Sequence, residues 1–201
     1  DLFSRYIVGW LLSHKENSAL AQQLIDDTHQ KYEINQPLTL HQDRGAPMTA
    51  HAYLDLLGEL AITASHSRPR VSNDNPFSEA QFKTMKFQPD YPRRFANYSD
   101  AKLWVEHYVE WYNHKHHHSQ LAGFTPAQVY TGEYRKIATQ KQNALDTAYL
   151  NHKERFVKGA PKLKMPDEIV YINPVVDEEG AITMPEQVNF PTLNRCKSNL
   201  T

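Results

Sequence analysis

The sequence has little that could hold a fold together covalently or tie it to a lipid. Its 201 residues contain one cysteine, Cys196, which excludes an internal disulfide and suits a reducing compartment. No apolar run approaches the roughly 18 residues of a membrane span, and the first residues lack the basic, apolar and small-residue order of a signal peptide. The expected location is therefore cytoplasmic, with no membrane partner. Net charge is also nearly absent, a formal −1, which by itself argues against a polyanionic partner. The average hides a segregation, however. Residues 1–66 carry 4 Lys/Arg against 8 Asp/Glu, residues 67–164 carry 16 against 9, and residues 165–201 carry 2 against 6. A basic centre between acidic flanks is what a phosphate backbone selects, although a charge block is also what a solvated face looks like.

What is present is ordinary for a globular chain: 40% hydrophobic and 22% charged residues, at a length that suits one domain with a core plus a tail, or two small domains. The chain opens without an initiator Met. Asp1–Arg5 reads as a turn between two strands and Tyr6–Leu12 as a β-rich run, so a fragment or truncated reading frame with its preceding strand missing is expected. Asn17-Ser18 is a plausible N-cap for a helix through SALAQQLIDDTHQKY. LTLHQD alternates as a short strand ending at Asp43, and Arg44-Gly45-Ala46-Pro47 is turn chemistry. Thr49 is expected to cap a helix with Tyr53, Leu56, Leu57, Leu60 and Ala61 as its buried stripe, followed by a strand near Ile62–Ser65. Strand and helix alternation argues for an α/β layered fold with a partly parallel sheet, in which ligands sit at the carboxyl ends of strands.

Arg68–Pro76 is polar, proline-bearing and aperiodic, hence expected to be a mobile loop. Phe77–Phe87 returns to helical spacing, with Phe82 and Met85 able to face inward and Glu79, Lys83 and Lys86 on one exposed stripe. A long aromatic helix follows from Ser99-Asp100, then a short one capped by Thr125 with Pro126 in its first turn. Residues 133–156 suit a polar helix, and GAPKLKMPDEIVYINP suits a proline-punctuated extended segment. The last 25 or so residues have little periodicity and are expected to be loosely ordered.

Two acids stand in distinctive contexts. Asp43 ends a strand, Glu79 lies on a helix, and 35 residues separate them. Carboxylates so placed can converge on hard divalent cations, which prefer oxygen ligands, and a pair of such cations serves phosphoryl transfer. The same residues also suit a turn former before Arg44-Gly45 and a surface charge paired with Lys83. His114, His116, His117 and His118 do not make a metal site by spacing: neighbouring histidines at a helix end point in different directions, and no Cys or second His pair has finger spacing. Trp104, Tyr108, Trp111 and Tyr112 are expected in the core.

HQDRG, SRPRVSNDNPFSEAQFKTMK and WYNHKHHHSQLAGFTPAQVY together resemble consecutive signatures of the integrase-type core of bacterial insertion-sequence transposases and retroviral integrases, over Asp1 to about Gly132. The resemblance implies a ribonuclease-H-like layered α/β fold lacking its first strand or strands, followed by helices and a small C-terminal extension. It divides the chain into a catalytic core, 1–132, and a helical linker with a small extended or partly disordered segment, 133–201. It makes Asp43 and Glu79 the second and third acids of an Asp-Asp-Glu triad that holds Mg²⁺ or Mn²⁺, with a two-metal site expected only in the intact enzyme. The first acid would lie on a strand upstream of Asp1, so the 201-residue chain is expected not to cut or join DNA. Lys83 and Lys86 are expected at phosphates of a DNA end, as are Arg68 and Arg70 on the neighbouring loop. The implied partners are element ends, target DNA and further copies of the chain. The alternatives are a catalytically dead remnant that only binds DNA or a partner transposase, and a ribonuclease-H-like nuclease.

Overall fold

Residues 1–176, 178–183 and 192–193 are described in the computed structural model. They group into two compact units. One comprises Ile7–Lys102 with residues 171–176 and 178–183; the other comprises Asp1–Tyr6 and Leu103–Val170 with residues 192–193.

The first unit is built on a parallel strand pair. Its helix α1 (Ser18–Lys31) starts at Asn17, whose side chain accepts from the Leu20 N–H at 2.9 Å, satisfying one of the donors that a helix start leaves open. Strand β1 (Leu38–Gln42) follows, then a four-residue helix α2 (Ala46–Thr49), helix α3 (His51–Glu59) and strand β2 (Ile62–His66). β1 and β2 run parallel, in register from Leu38 opposite Ile62 to Gln42 opposite His66. Parallel neighbours need a crossover, and α2 and α3 supply it. Tyr53, Leu57 and Ile62 are buried between these elements, with Ile25, Leu40, Met48, Leu54 and Leu60 packed around them.

The expected stripe on α3 is thus right at Tyr53, Leu57 and Leu60, while Leu54 packs in the cluster and Leu56 does not. Ala61 is exposed, beyond the helix end at φ +54°. Thr49 is not the cap of α3: its hydroxyl is turned back onto the Gly45 and Ala46 carbonyls, and Ala50 takes the cap position without a side-chain bond.

Residues 6–12, expected to form a strand, have no regular secondary structure, and no described strand pairs with them. Gly9 lies instead against α1, where an added Cβ would sit 2.2 Å from the Thr28 Oγ1 and 3.4 Å from the Leu24 Cδ1. β-propensity marked the residues correctly as apolar filling, but the neighbour at Gly9 is a helix.

Helix α4 (Pro76–Lys86) has a proline in its first turn together with Glu79, and Lys83 and Lys86 in its last, charges that suit both ends of the helix dipole. Phe82, expected inward, is 57% exposed; the half-buried face passes through Phe77, Gln81 and Met85 instead. Helical spacing identified a stripe but not which side of it meets a neighbour. The loop before α4, expected to be mobile, contains a short 3₁₀ turn, Ser72–Asp74, and is fixed by a buried carboxylate described below.

The second unit is mostly helical: α5 (Tyr98–His114, counted here from Leu103), α6 (Pro126–Tyr130) and α7 (Tyr134–Asn151). Its core is Phe3, Leu121, Phe124, Val129, Tyr134 and Ala138. Thr125 caps α6 through a reciprocal box: its hydroxyl accepts from the Gln128 N–H at 3.3 Å and Gln128 Oε1 accepts from the Thr125 N–H at 3.0 Å. On α5, Tyr108 and Tyr112 are buried and the Trp104 and Tyr108 rings stack at 5.4 Å. A short antiparallel pair joins β3 (Ile169–Val170) to β6 (Thr192–Leu193) in this unit, and another joins β4 (Val175–Val176) to β5 (Ile182–Thr183) in the first. Most of the C-terminal stretch expected to be loosely ordered lies outside the described residues.

Candidate active site

β1 delivers Asp43 at its carboxyl end. The Asp43 side chain is exposed, and its Oδ1 accepts from the Gly45 N–H at 2.9 Å, a local turn that orients the carboxylate. Gly45 is there for room: a Cβ would lie 3.1 Å from that oxygen. Two bonds tie the loop after β1 to the end of β2. His66 Nδ1 donates to the Asp43 carbonyl at 3.2 Å, and Arg44 Nε donates to the Ser67 carbonyl at 2.8 Å.

Glu79 is exposed in the first turn of α4, with Lys83 and Lys86 exposed one and two turns further on. The spacing therefore gives the surface stripe expected of it. Among the described residues no group of three or more His, Cys, Asp or Glu side chains is arranged to hold a metal ion. The donors at hand are the two exposed carboxylates, oxygen ligands of the type a hard divalent cation takes.

The strand that leads to Asp43 carries buried and part-buried polar contacts that sequence reasoning did not find. His41, two residues before Asp43 and so on the same side of β1, reaches Ser65 Oγ at 2.9 Å through Nδ1 and the Asp74 carbonyl at 2.7 Å through Nε2. A carbonyl can only accept, so Nε2 donates to it, and Nδ1 pairs with the Ser65 hydroxyl, which can either donate or accept. Gln42 is held by the Tyr53 hydroxyl, which donates to its Oε1 at 2.7 Å.

Asp74 has no exposed surface. Arg68 meets it with Nε on Oδ2 and Nη2 on Oδ1, both at 2.8 Å, and with its backbone N–H on Oδ2 at 2.9 Å; Asn173 Nδ2 donates to Oδ1 at 2.8 Å. The Arg68 guanidinium, with help from Asn173 and the Arg68 N–H, holds the carboxyl well below the usual range against the opposing effect of burial. Arg68, expected on DNA phosphate, thus spends two of its nitrogens on Asp74. Arg70 is exposed, in a left-handed conformation at φ +63°. Nothing in the sequence pointed to Asn173 as a partner of Asp74, 99 residues away.

The three histidines that follow α5 serve the second unit. His116 stacks on Tyr112 at 5.3 Å, His117 Nδ1 meets the Gly123 carbonyl at 2.8 Å, and His118 Nδ1 accepts from the Gln120 N–H at 3.2 Å.

Two family profiles, both described as integrase core domain, match residues 1–72 and 60–126. Among curated proteins the chain is 29% identical over 134 residues to InsK, named as a transposase for insertion sequence element IS150 of Escherichia coli (strain K12), covering 67% of this chain and 47% of that protein. It is 30% identical over 122 residues to the transposase for insertion sequence element IS904 of Lactococcus lactis subsp. lactis (strain IL1403), covering 60% of this chain and 48% of that protein. The chain thus spans about half the length of the curated relatives it matches. A solved structure, the catalytic core domain of BIV integrase, superposes with a TM-score of 0.49 at 21% identity over 67% of this chain and 84% of that one.

Proposed function

Because the chain belongs to the integrase core family of insertion-sequence transposases, we propose that residues 1–132 are the catalytic core of a DNA strand-transfer enzyme in which Asp43 and Glu79 hold a divalent cation. Residues 133–201 would then be a helical linker and a small C-terminal extension. The observation that carries the reading is the placement of the two acids. Asp43 stands at the carboxyl end of a parallel strand, where α/β folds bind ligands, and Glu79 stands exposed on a helix whose lead-in is hydrogen-bonded to that same strand through His41.

A bound Mg²⁺ or Mn²⁺ would supply Lewis acidity to a phosphodiester. The chain's own part is to aim two carboxylates and to receive the DNA. Lys83 and Lys86, on the same helix as Glu79, would pair with backbone phosphates near the reacting end, with Arg70 on the neighbouring loop and the remaining donor capacity of Arg68. Element ends, target DNA and further copies of this chain are the partners. The first acid of the triad would come from a strand upstream of Asp1.

A strand-transfer assay tests this. The 201-residue polypeptide is expected to be inactive with Mg²⁺ or Mn²⁺, and a longer polypeptide supplying the upstream strand and its acid is expected to join labelled ends to target DNA. In the longer polypeptide, Asp43→Asn or Glu79→Gln should lower that activity by about 100- to 1,000-fold, as loss of a group acting in the transition state does. DNA binding without joining by the longer polypeptide would make the chain a non-catalytic binder instead, and strand cutting without joining would make it a nuclease. Separately, replacing Lys83 and Lys86 by Gln should reduce the slope of log affinity against log salt by about 2; an unchanged slope would remove both from the DNA contact.

A further inference from the structure

Two segments far apart in sequence meet at one carboxylate in the first unit. Asp74 accepts three hydrogen bonds from Arg68 and one from Asn173, which accounts for the capacity of both its oxygens. Its backbone carbonyl is held from the other side by His41 on β1, and its N–H donates to the Val71 carbonyl at 3.3 Å. Asn173 is itself anchored: the preceding residue, Ile172, is 1% exposed, and Asn173 takes a left-handed conformation at φ +44° that asparagine tolerates better than most residues. Neither integrase-core profile reaches this segment, since together they end at residue 126.

α4 begins at Pro76, two residues after Asp74, and Glu79 lies in its first turn. Proline 76 has one stiff dihedral and Asn75 is the only residue between it and Asp74, so a displacement of Asp74 is passed to the helix start with little slack. His41 and Asp43 lie on the same side of β1. The side chain that holds the Asp74 carbonyl therefore stands two residues before the other acid, on the strand that delivers it.

We infer that Asp74 is a positioning residue for Glu79, and that the Ile172–Asn173 segment is a strap that completes its grip on the helix start. The inference rests on the reading of Asp43 and Glu79 as partners around one cation. In its absence Asp74 would still be well bonded, but the segment around Asn173 would have no part in the core. With it, a short piece of chain outside the family match helps to set the separation of the two acids.

The test uses the 201-residue chain, labelled with ¹⁵N, and the variant Asn173→Ala, which removes one bond and leaves the Arg68–Asp74 pair in place; Asp74→Asn is the stronger second variant. Amide hydrogen exchange is measured first. Loss of one hydrogen bond to a charged group should raise exchange in α4 by about tenfold while α1 and α3 are unchanged. Exchange that is unaltered in α4, or raised equally in all three helices, overturns the strap. Substoichiometric Mn²⁺ is then added as a paramagnetic probe. In the parent it should broaden amides near both Asp43 and Glu79; in Asn173→Ala broadening should persist at Asp43 and weaken at Glu79. Faster exchange in α4 with unaltered broadening at Glu79 overturns the positioning role. A parent that shows no broadening at either acid defeats the cation reading, and the exchange experiment still decides the strap. If Asp74→Asn does not fold, Asn173→Ala alone carries the decision.

Discussion

Asp74 illustrates how much a single buried carboxylate can fix. Ionised, it is matched by a guanidinium, an amide and a backbone N–H, and taking away the charge leaves those donors facing a weaker acceptor. Asp74→Asn is expected to cost about 3 kcal/mol at neutral pH, the scale on which a broken buried pair is felt, measurable by urea unfolding. The sign of its pH dependence follows from the lowered folded-state pKa. The unfolded carboxyl titrates near about 3.9, so the stabilisation is complete above that value and fades as pH falls through the lower folded value. The parent and Asp74→Asn should therefore converge in stability below about pH 4, and a gap that stays constant into strong acid would show that the charge is not the cause. Gly45→Ala probes the neighbouring acid. Its Cβ, 3.1 Å from the Asp43 Oδ1, should disturb the carboxylate's aim and weaken Mn²⁺ binding several-fold with little change in unfolding free energy. The placements of Asp43 at a strand end and of Glu79, Lys83 and Lys86 along an exposed helical stripe were legible because local rules set them. His41 and Asn173 were not, because their partners lie 33 and 99 residues away and no period connects them.

Elements were read well where their signals are local and less well where they depend on a neighbour. α1 and α6 start at Asn17 and Thr125 as their capping chemistry indicates, and β1 and β2 occupy the short alternating runs. The failures are of the other kind. Residues 6–12 have the bulk of a strand, yet Gly9 among them lies against a helix, and Phe82 has the spacing of a core residue but faces solvent. Gly9 gives the first of these a measurable consequence. Its absent side chain lets the segment approach α1, and Gly9→Ala should destabilise the chain by about 1–3 kcal/mol, as overpacking does. The obstructing atom is the Thr28 Oγ1, on a branched side chain with few rotamers that already donates to the Leu24 carbonyl at 2.6 Å. Adding Thr28→Ala should recover most of the loss, since the remaining contacts, with the Leu24 Cδ1 and the retained Cβ of residue 28, are both at an ordinary 3.4 Å. A double variant no more stable than Gly9→Ala would place the cause elsewhere.

At the scale of the whole molecule, the two units carry different titrating groups and should respond to acid in different windows. In the second unit burial, with the Arg5 and His116 charges nearby, pushes His118 down to about 4, and burial with the His117 charge lowers His116. A histidine whose folded pKa is depressed stays neutral in the fold while the unfolded chain takes up a proton below about 6.5, so stability declines as pH falls from there to about 4. The first unit loses the contribution of Asp74 only below that. Trp104 and Trp111 belong to the second unit and Trp10 to the first, so Trp10→Phe leaves fluorescence reporting the second unit alone. Its transition is expected to soften between pH 6.5 and 4, and His118→Asn, which keeps an acceptor for the Gln120 N–H, should flatten that slope. The overall α/β class and the integrase-core family were legible from ordered motifs across the first two thirds of the chain. The division into units was not, because it joins Asp1–Tyr6 to residues beyond 102 and residues 171–183 to those before it, pairings that no linear boundary expresses.

The Asp74–Asn173 bond also sets an order of events in time. Closing a loop of that length has an entropic cost that grows only slowly with its size, so the bond is affordable once both ends exist. At about 5–20 residues per second of synthesis, however, Asn173 is made roughly 5–20 s after Asp74. A nascent chain can pair β1 with β2 and form α4 well before the strap arrives, and during that interval Asp74 has its Arg68 and His41 bonds but not the one from Asn173. If Asp43 and Glu79 share a cation as proposed, their last adjustment waits until the chain has been translated as far as Asn173, a built-in delay between folding the core and arming it.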